Sequence, residues 1–127
     1  FIEHKLLYAE KSQVPKEEYV LSLGEAIRRM QGKDVSIVTY SRMVKVVLEA
    51  ADTLAGKGIS VEVIDLRTLA PIDIDLVCDS VSKTHRLLVV HEACQFAGLG
   101  AEIAAQVMEH VFDDLDAPVA RIGGRHE

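Results

Sequence analysis

Cysteine, positive charge and long hydrophobic runs are all scarce in this sequence, and each scarcity excludes a class of protein. The two cysteines, Cys78 and Cys94, form no C-x-x-C pair and lie in no Cys/His cluster with zinc spacing. We therefore expect two reduced, buried or half-buried thiols in a cytosolic protein, and no metal site. No apolar run approaches the ~18 residues of a membrane span, and no stretch has the pattern of a signal peptide.

Acidic residues outnumber basic ones by 20 to 14, which gives a formal net charge of −6. Nucleic acids and anionic membranes bind basic protein surfaces, so we expect neither as a partner. A basic protein partner remains compatible with this charge. The length of 127 residues, 49% of them hydrophobic, is typical of one soluble domain with a full core.

Strands and helices alternate along the chain from residue 35 onward. Four stretches are predicted as strands: residues 35–40, 60–66, 86–91 and 118–123. Apolar residues at helical spacing predict three intervening helices. The first spans residues 42–55 and is capped by Ser41, and the last spans residues 99–112. The middle helix is capped by Asp73 and has the apolar stripe Ile74, Val77, Cys78 and Val81. This alternation indicates βαβ crossovers and a largely parallel sheet covered on both faces.

The first 34 residues have a weaker pattern. Residues 1–8 and 19–24 are predicted as short strands, and the polar residues 9–18 between them as a linker. Residues 25–30 contain helix formers, but they run into a turn at 31–34 that fits a hairpin into the next strand. The pattern alone leaves their secondary structure open.

The loops after the carboxyl ends of parallel strands usually carry function. Here they hold residues 40–42, 65–68 and 91–93. His91 titrates near neutrality and Glu92 is a carboxylate, but neighbours on a strand point in opposite directions and cannot easily hydrogen-bond each other. We therefore favour a structural or interface role for this pair over acid/base catalysis.

Arg67 and Thr68 end the second of these strands, shortly before Pro71. An arginine at a strand tip can bind a carboxylate or phosphate, and it can equally pair with Asp65, with Asp73 or with another subunit. No second phosphate-binding element lies nearby in the sequence, so we favour a subunit interface.

Two glycines, Gly98 and Gly100, open the last predicted helix, where free N–H groups can bind phosphate. A dinucleotide fingerprint needs a small residue where Ile103 stands, and an acidic residue near the end of the next strand, where Arg121 stands. We therefore favour glycines that permit a tight turn and close helix packing.

Asp113, Asp114 and Asp116 form an acidic cluster at the end of that helix, where negative charge opposes the helix dipole. One interpretation is a solvated loop. The other is a docking patch for a basic partner, which would explain why the charge is tolerated.

Five stretches carry a resemblance that covers almost all of residues 1–123: DVSIVTYSRMVKVVLEAADTL, ISVEVIDLRTLAPID, KTHRLLVVHEA, GLGAEIAAQV and FDDLDAPVARIGG. Together they resemble the C-terminal, transketolase-like domain of the β subunit of the thiamine-diphosphate-dependent decarboxylase component of 2-oxo acid dehydrogenase complexes. Members of this family act on pyruvate, branched-chain 2-oxo acids or acetoin. The most specific part of the resemblance is that the segments DLRTL-P-D and HEA occur together in one sequence.

The resemblance implies a three-layer α/β/α sandwich around a five-stranded, mostly parallel sheet, with residues 25–30 as its antiparallel edge strand. It divides the chain into residues 1–18, the end of a preceding pyrimidine-binding domain and its linker, and residues 19–127, a transketolase C-terminal-like domain. Both ends of the chain are then expected to be cuts in a longer polypeptide.

The function implied is that of a non-catalytic assembly domain. In the family, the α subunit holds the diphosphate and Mg²⁺, and the glutamate that activates the aminopyrimidine lies in the first domain of the β subunit. We therefore expect no catalytic, cofactor-binding or metal-binding residue here, and no activity from this chain alone. The parent enzyme would decarboxylate a 2-oxo acid and acylate lipoamide, in a bacterial cytoplasm or a mitochondrial matrix.

The resemblance also implies partners. Strand tips in the family meet other subunits of an α2β2 assembly, so an interface with the α subunit and a second β subunit is expected at Arg67, Thr68, Leu69, Pro71, His91 and Glu92. For the basic subunit-binding domain of the dihydrolipoyl acyltransferase, the hypothesised docking patch is Asp113, Asp114 and Asp116.

Three other hypotheses stay open. The chain could be the C-terminal domain of another transketolase-like enzyme. It could be a stand-alone phosphate- or nucleotide-binding module that uses residues 98–104. It could also be a structural fragment that forms a homodimer through its strand tips.

Overall fold

The computed structural model describes residues 1–125. The elements in chain order are β1 (Ile27–Met30), β2 (Val35–Thr39), α1 (Met43–Ala55), β3 (Val61–Asp65), α2 (Ile74–Thr84), β4 (Leu87–Cys94), α3 (Leu99–Val111) and β5 (Ala120–Gly124), with short 3₁₀ segments at Lys5–Ala9 and Phe112–Asp114.

All five strands form one sheet in the order β1-β3-β2-β4-β5. β2 pairs in parallel with β3 and β4, and β4 pairs in parallel with β5, whereas β1 lies antiparallel to β3 at one edge. Nearly every residue of β2 and β3 is buried, the polar Ser36 and Glu62 included, because both strands lie inside the sheet, where both faces are covered. The expected sheet and its antiparallel edge strand at residues 25–30 are therefore confirmed.

Two apolar layers flank the sheet because successive strand residues point to opposite faces. On one face, helices α2 and α3 pack against the sheet, with the buried residues Val38, Ile64, Leu66, Val77, Val81, Leu87, Val89, Ile103 and Val107. On the other face α1 covers the sheet, with the buried residues Ile37, Val47, Ala51, Val61, Val63 and Val90. The molecule is thus a three-layer α/β/α sandwich.

The predicted strands at residues 1–8 and 19–24 are wrong. Residues Lys5–Ala9 form a 3₁₀ segment, in which the N-cap residue His4 accepts a hydrogen bond from the N–H of Leu6 at 3.2 Å. Residues 19–24 contain no strand either. Both stretches are largely exposed and pair with no strand of the described chain, and an unpaired strand is not stable in water.

The two predicted helix caps have different outcomes. Asp73 caps α2 as expected, since its side chain accepts a hydrogen bond from the N–H of Leu76 at 3.2 Å. Ser41 does not cap α1, because Arg42 occupies the N-cap position and makes no side-chain cap bond, while Ser41 has a φ of 56°. The sequence pattern placed α1 correctly but missed the left-handed residue in front of it.

Both cysteines are free. Cys78 is half-buried, as expected, but Cys94 is exposed because β4 continues three residues beyond the predicted strand end. Among residues 1–125, no helix is both long and apolar enough to cross a membrane.

Candidate functional site

The tip of β3 is organised by the carboxylate of Asp65. One oxygen accepts a hydrogen bond from the backbone N–H of Arg67 at 3.1 Å, and the other accepts from the guanidinium of Arg29 at 2.8 and 3.0 Å. Arg67 adopts a φ of 55°, and its Nε donates to the carbonyl of Glu25 at 2.8 Å. Asp65 thus shapes the turn that exposes the end of the Arg67 side chain.

Thr68 ties the same tip to the segment before β1. Its hydroxyl accepts a hydrogen bond from the N–H of Gly24 at 2.9 Å and donates one to the carbonyl of Pro71 at 3.1 Å. Leu69, 40% exposed, and Pro71 lie on the surface beside it. The polar groups of Asp65 and Thr68 are therefore satisfied within the domain, and a partner would meet mainly Leu69, Pro71 and Arg67.

His91, which we expect near a subunit boundary, is buried within this chain. The side chain is 2% exposed, and its ring stacks on Tyr40 with centroids 6.3 Å apart. Neither ring nitrogen has a hydrogen-bond partner among the described residues.

Glycines provide the space for that ring. A Cβ atom at Gly100 would overlap the His91 imidazole, and one at Gly98 would overlap the carbonyl of Cys94. A Cβ atom at Gly123, on β5, would lie 3.0 Å from the ring. Close packing therefore requires the glycines at the start of α3, as expected. On the side that faces His91 they leave no space for a phosphate.

Glu92 points away from His91 and pairs with two other residues. Its carboxylate oxygens lie 2.9 Å from His4 Nε2 and 3.0 Å from an Arg42 nitrogen. Burial raises the pKa of Tyr40, and the charge of Glu92 raises it further. His91 and Glu92 thus form no acid/base pair, and Glu92 instead joins the N-terminal segment to the start of α1.

That segment closes a cavity of about 340 Å³ over the strand tips. It is lined by Phe1, Ile2, Glu3, His4, Leu7, Tyr8, Tyr40, Ser41, Arg67 and Leu69. The sequence pattern did not predict that His4 and Arg42 both pair with Glu92, because Glu92 is 50 residues or more distant from each. The sequence signal for Arg42 was its place in the loop after a predicted strand, and His4 had no such signal.

The three aspartates after α3 have different environments. Asp113 is exposed, and Asp116 is exposed with a 4.0 Å ion pair to Arg86. Asp114 is half-buried, and its carboxylate accepts a hydrogen bond from the hydroxyl of Ser82. Asp113 and Asp116 are thus available at the surface, whereas Asp114 holds the helix end to α2.

An apolar groove of about 540 Å³ lies beside these acids and was not predicted from the sequence. Its lining includes Met108 and Phe112, which are 42% and 61% exposed. These two residues, four apart, lie outside the inward stripe of α3, and this spacing was the available signal. The rest of the lining is Ala104, Ala105, Leu115, Asp116, Ala117, Pro118 and Val119.

Within residues 1–125, no group of three or more His, Cys, Asp or Glu side chains could hold a metal ion. The glycines at the start of α3 are packed against His91 and Cys94 rather than open to a diphosphate.

The comparisons with known proteins agree on the family to which this chain is similar. The family model described as "Transketolase, C-terminal domain" matches residues 24–127. A pyruvate dehydrogenase E1 component subunit beta from Porphyra purpurea is 48% identical over 98% of this chain, which covers 38% of that protein. The corresponding subunit from Bacillus subtilis is 46% identical over 96% of the chain, again 38% of its own length.

A solved structure agrees with these relatives. A protein described as a split gene transketolase, inactive β4 tetramer, superimposes with a TM-score of 0.77 at 30% identity, over 91% of this chain and 37% of its own. The chain thus spans less than two fifths of the proteins it matches.

Proposed function

Because this chain belongs to the transketolase C-terminal domain family, we propose that it is the assembly domain of the β subunit of a thiamine-diphosphate-dependent 2-oxo acid dehydrogenase. The observation that carries the proposal is the 46–48% identity to E1 β subunits over at least 96% of the chain. In this proposal residues 1–18 are the end of a preceding domain and its linker, and residues 19–127 are the assembly domain.

The parent enzyme would decarboxylate a 2-oxo acid and transfer the acyl group to lipoamide. Thiamine diphosphate supplies a carbanion-stabilising centre when bound. This chain supplies no ligand to it and is inactive alone. Relatives occur in bacteria and, by name, in mitochondria, so we propose a bacterial cytoplasm or a mitochondrial matrix as its location.

The first interface is the strand-tip surface, formed by Arg67, Thr68, Leu69, Pro71 and Glu92, with His91 buried beneath it. Two features support it as the contact with the α subunit and a second β subunit. Leu69 and Pro71 expose apolar surface on a turn that internal hydrogen bonds hold in place. Arg67 adds a guanidinium whose outer nitrogens make no hydrogen bond with described residues. Such a mixture of rigid apolar surface and arginine is typical of interface centres.

Replacing Leu69 with aspartate tests this interface in the full-length β subunit expressed with its α subunit. We expect Leu69→Asp to shift the assembly from α2β2 toward smaller species in analytical ultracentrifugation, because a buried unpaired charge disfavours association. The control is Val46→Asp, which places the same charge at a residue of α1 with similar exposure, 42% against 40%. An intact α2β2 assembly with Leu69→Asp would exclude the strand tip as an interface.

The second surface is the groove beside α3 together with Asp113 and Asp116. We propose that it docks the basic subunit-binding domain of the acyltransferase, since exposed acids border an exposed apolar lining there. Met108 and Phe112 would supply apolar contact, and the two aspartates would attract the basic partner. Asp114, the third aspartate of the hypothesised patch, accepts a hydrogen bond from the hydroxyl of Ser82.

Charge reversal tests the docking surface. We expect Asp113→Lys and Asp116→Lys each to weaken binding of the acyltransferase domain about five- to tenfold and to reduce its salt dependence, as calorimetry at two salt concentrations would measure. The control is Asp52→Lys, at an exposed position of α1 on the opposite face of the sheet. Unchanged affinity and salt dependence in both reversal variants would exclude this surface.

A second candidate function is the equivalent domain of a transketolase, which the 30% identity and TM-score of 0.77 to the split gene transketolase support. The two candidates differ in chemistry. The full-length enzyme with its partner subunit would acylate a lipoyl domain from a 2-oxo acid in the first case, and would transfer a ketol group between sugars in the second.

A further inference from the structure

A polar cavity of about 590 Å³ lies at the carboxyl end of β5, on neither of the two surfaces proposed above. It is formed where the loop after β4 meets the last strand, and its lining is Gln95, Phe96, Arg121, Gly123, Gly124 and Arg125. Two of these six residues are arginines and none is acidic. In a chain of net charge −6, this is an unusual concentration of positive charge.

Arg121 is held in place by a reciprocal pair of contacts with Gln95. One guanidinium nitrogen of Arg121 donates to the carbonyl of Gln95 at 3.0 Å, and the side-chain amide of Gln95 donates to the carbonyl of Arg121 at 2.8 Å. The N–H of Gln95 also donates to the carbonyl of Gly124 at 3.0 Å. These contacts fix the cavity wall and engage only one guanidinium nitrogen of Arg121, so the others stay available as donors.

Neither arginine has a carboxylate partner within residues 1–125. Four other arginines do: Arg28, Arg29, Arg42 and Arg86 each form an ion pair with an acidic residue. Arg125 is exposed and also makes no side-chain hydrogen bond to a described residue. Two guanidinium groups without a carboxylate partner among the described residues therefore line one cavity.

We propose that this cavity binds the phosphate group of a small phosphorylated ligand. A phosphate ester carries a charge of about −1.5 to −2 near pH 7, which matches two guanidinium groups better than a single carboxylate does. Planar guanidinium groups bind phosphate oxygens through paired hydrogen bonds. Phe96 also lines the cavity.

The site differs from the glycine cradle considered from the sequence. There, phosphate would bind at the N–H groups that open α3, but Gly98 and Gly100 are packed against Cys94 and His91. Here, Arg121 and Arg125 would make the contacts. The inference does not depend on the enzyme to which the domain belongs.

The test is a titration of the 127-residue chain with inorganic phosphate at constant ionic strength, followed by NMR through the amide signals of Gly123 and Gly124. We expect a saturable shift of both signals. Arg121→Gln and Arg125→Gln should each raise the dissociation constant about tenfold, because each removes charge-assisted hydrogen bonds. Arg125→Gln is the decisive variant if Arg121→Gln does not fold, since Arg125 makes no described contact that the fold requires.

Two controls complete the experiment. Arg86→Gln removes an arginine of comparable charge that pairs with Asp116 elsewhere, and we expect it to leave phosphate binding within about twofold of the original. Acetate, titrated in the same way, should bind at least about tenfold more weakly than phosphate. Shifts that do not saturate, a dissociation constant that stays unchanged in Arg125→Gln, or equal shifts with acetate at the same concentration would overturn the proposal.

Discussion

Glu62 is fully buried in β3, yet its carboxylate has charged partners on both sides. Arg28 donates to one oxygen at 2.9 Å, while Lys83 and the N–H of Gly32 contact the other. Burial raises the pKa of Glu62, but the hydrogen bonds from Lys83, Ser80, Gly32 and Arg28 together outweigh it, so the pKa lies below its usual value. The residue thus connects β1, β3 and α2 as an ionised group.

This arrangement predicts both the effect of a substitution and a dependence on pH. Glu62→Gln should lower the free energy of unfolding by about 2 kcal/mol at pH 7, since Lys83 and Arg28 lose their counter-charge but remain partly exposed. A lowered folded-state pKa stabilises the fold above the ordinary glutamate pKa of about 4.3, and this stabilisation is lost as the pH falls through the folded-state pKa. Urea unfolding of the original chain and of Glu62→Gln at several pH values would measure the difference in their free energies of unfolding.

The difference between the two proteins should therefore narrow as the solution is acidified below about pH 4. A constant difference across the acid range would mean that Glu62 acts by shape rather than by charge. Glu49→Gln, at an exposed position of α1, is the matched control and should change stability by less than about 0.5 kcal/mol.

His91 illustrates what the sequence could not predict at this scale. The sequence placed it correctly at the end of a buried strand. The alternation of side chains along a strand also correctly predicted that His91 and Glu92 point in opposite directions. The ring is covered by Gly98, Gly100 and Gly123, which come from α3 and β5. Local sequence pattern contains no information on which distant residues leave room for a side chain, so burial of the ring required the structure.

At the scale of elements, regular periodicity identified every α-helix and every parallel strand. Each of these elements is buried along most of its length, so its apolar residues recur regularly. This regular recurrence made the elements predictable from the sequence. The N-terminal stretches 1–8 and 19–24 have similar local composition but no pairing strand among the described residues. The edge strand β1 was ambiguous for a related reason, since only its pairing with β3 decides its conformation.

Asp73 connects two elements, and this gives a prediction. One carboxylate oxygen accepts from the N–H of Leu76 in α2 at 3.2 Å, and the other accepts from the N–H of Ala26, just before β1, at 2.8 Å. Asp73→Ala should therefore lower the free energy of unfolding by about 2 kcal/mol, more than the ~1 kcal/mol typical of a lost helix cap, because the Ala26 contact is lost too. Chemical denaturation would measure it.

Asp75, in the first turn of the same helix, is the control for helix-dipole effects alone. Asp75→Ala should cost no more than about 0.5 kcal/mol. Equal losses in the two variants would show that Asp73 contributes charge near the helix start rather than hydrogen bonds to two elements.

At the scale of the whole molecule, charge and exposed apolar surface are unevenly distributed. The sequence predicted a net acidic protein with a basic partner, but it could not predict that Asp114 is occupied internally while Asp113 and Asp116 remain exposed beside the groove. It also could not locate the two arginines of the β5 cavity together with Gln95. Such surfaces combine residues from separate elements, and only the completed fold brings them together.

The exposed apolar residues before β1 predict how this chain behaves in solution. Tyr19, Val20, Leu21 and Leu23 are 55–88% exposed and adjacent in sequence, and contiguous apolar surface of this kind drives association. We expect the average mass measured by light scattering to rise above 14.0 kDa as concentration increases. Val20→Ser combined with Leu23→Ser should raise the dissociation constant at least about tenfold, because two large side chains no longer gain from burial. Ile59→Ser, at a 38% exposed position after α1, should not change it. A mass that stays at 14.0 kDa at all concentrations would show that this segment does not drive self-association of the chain.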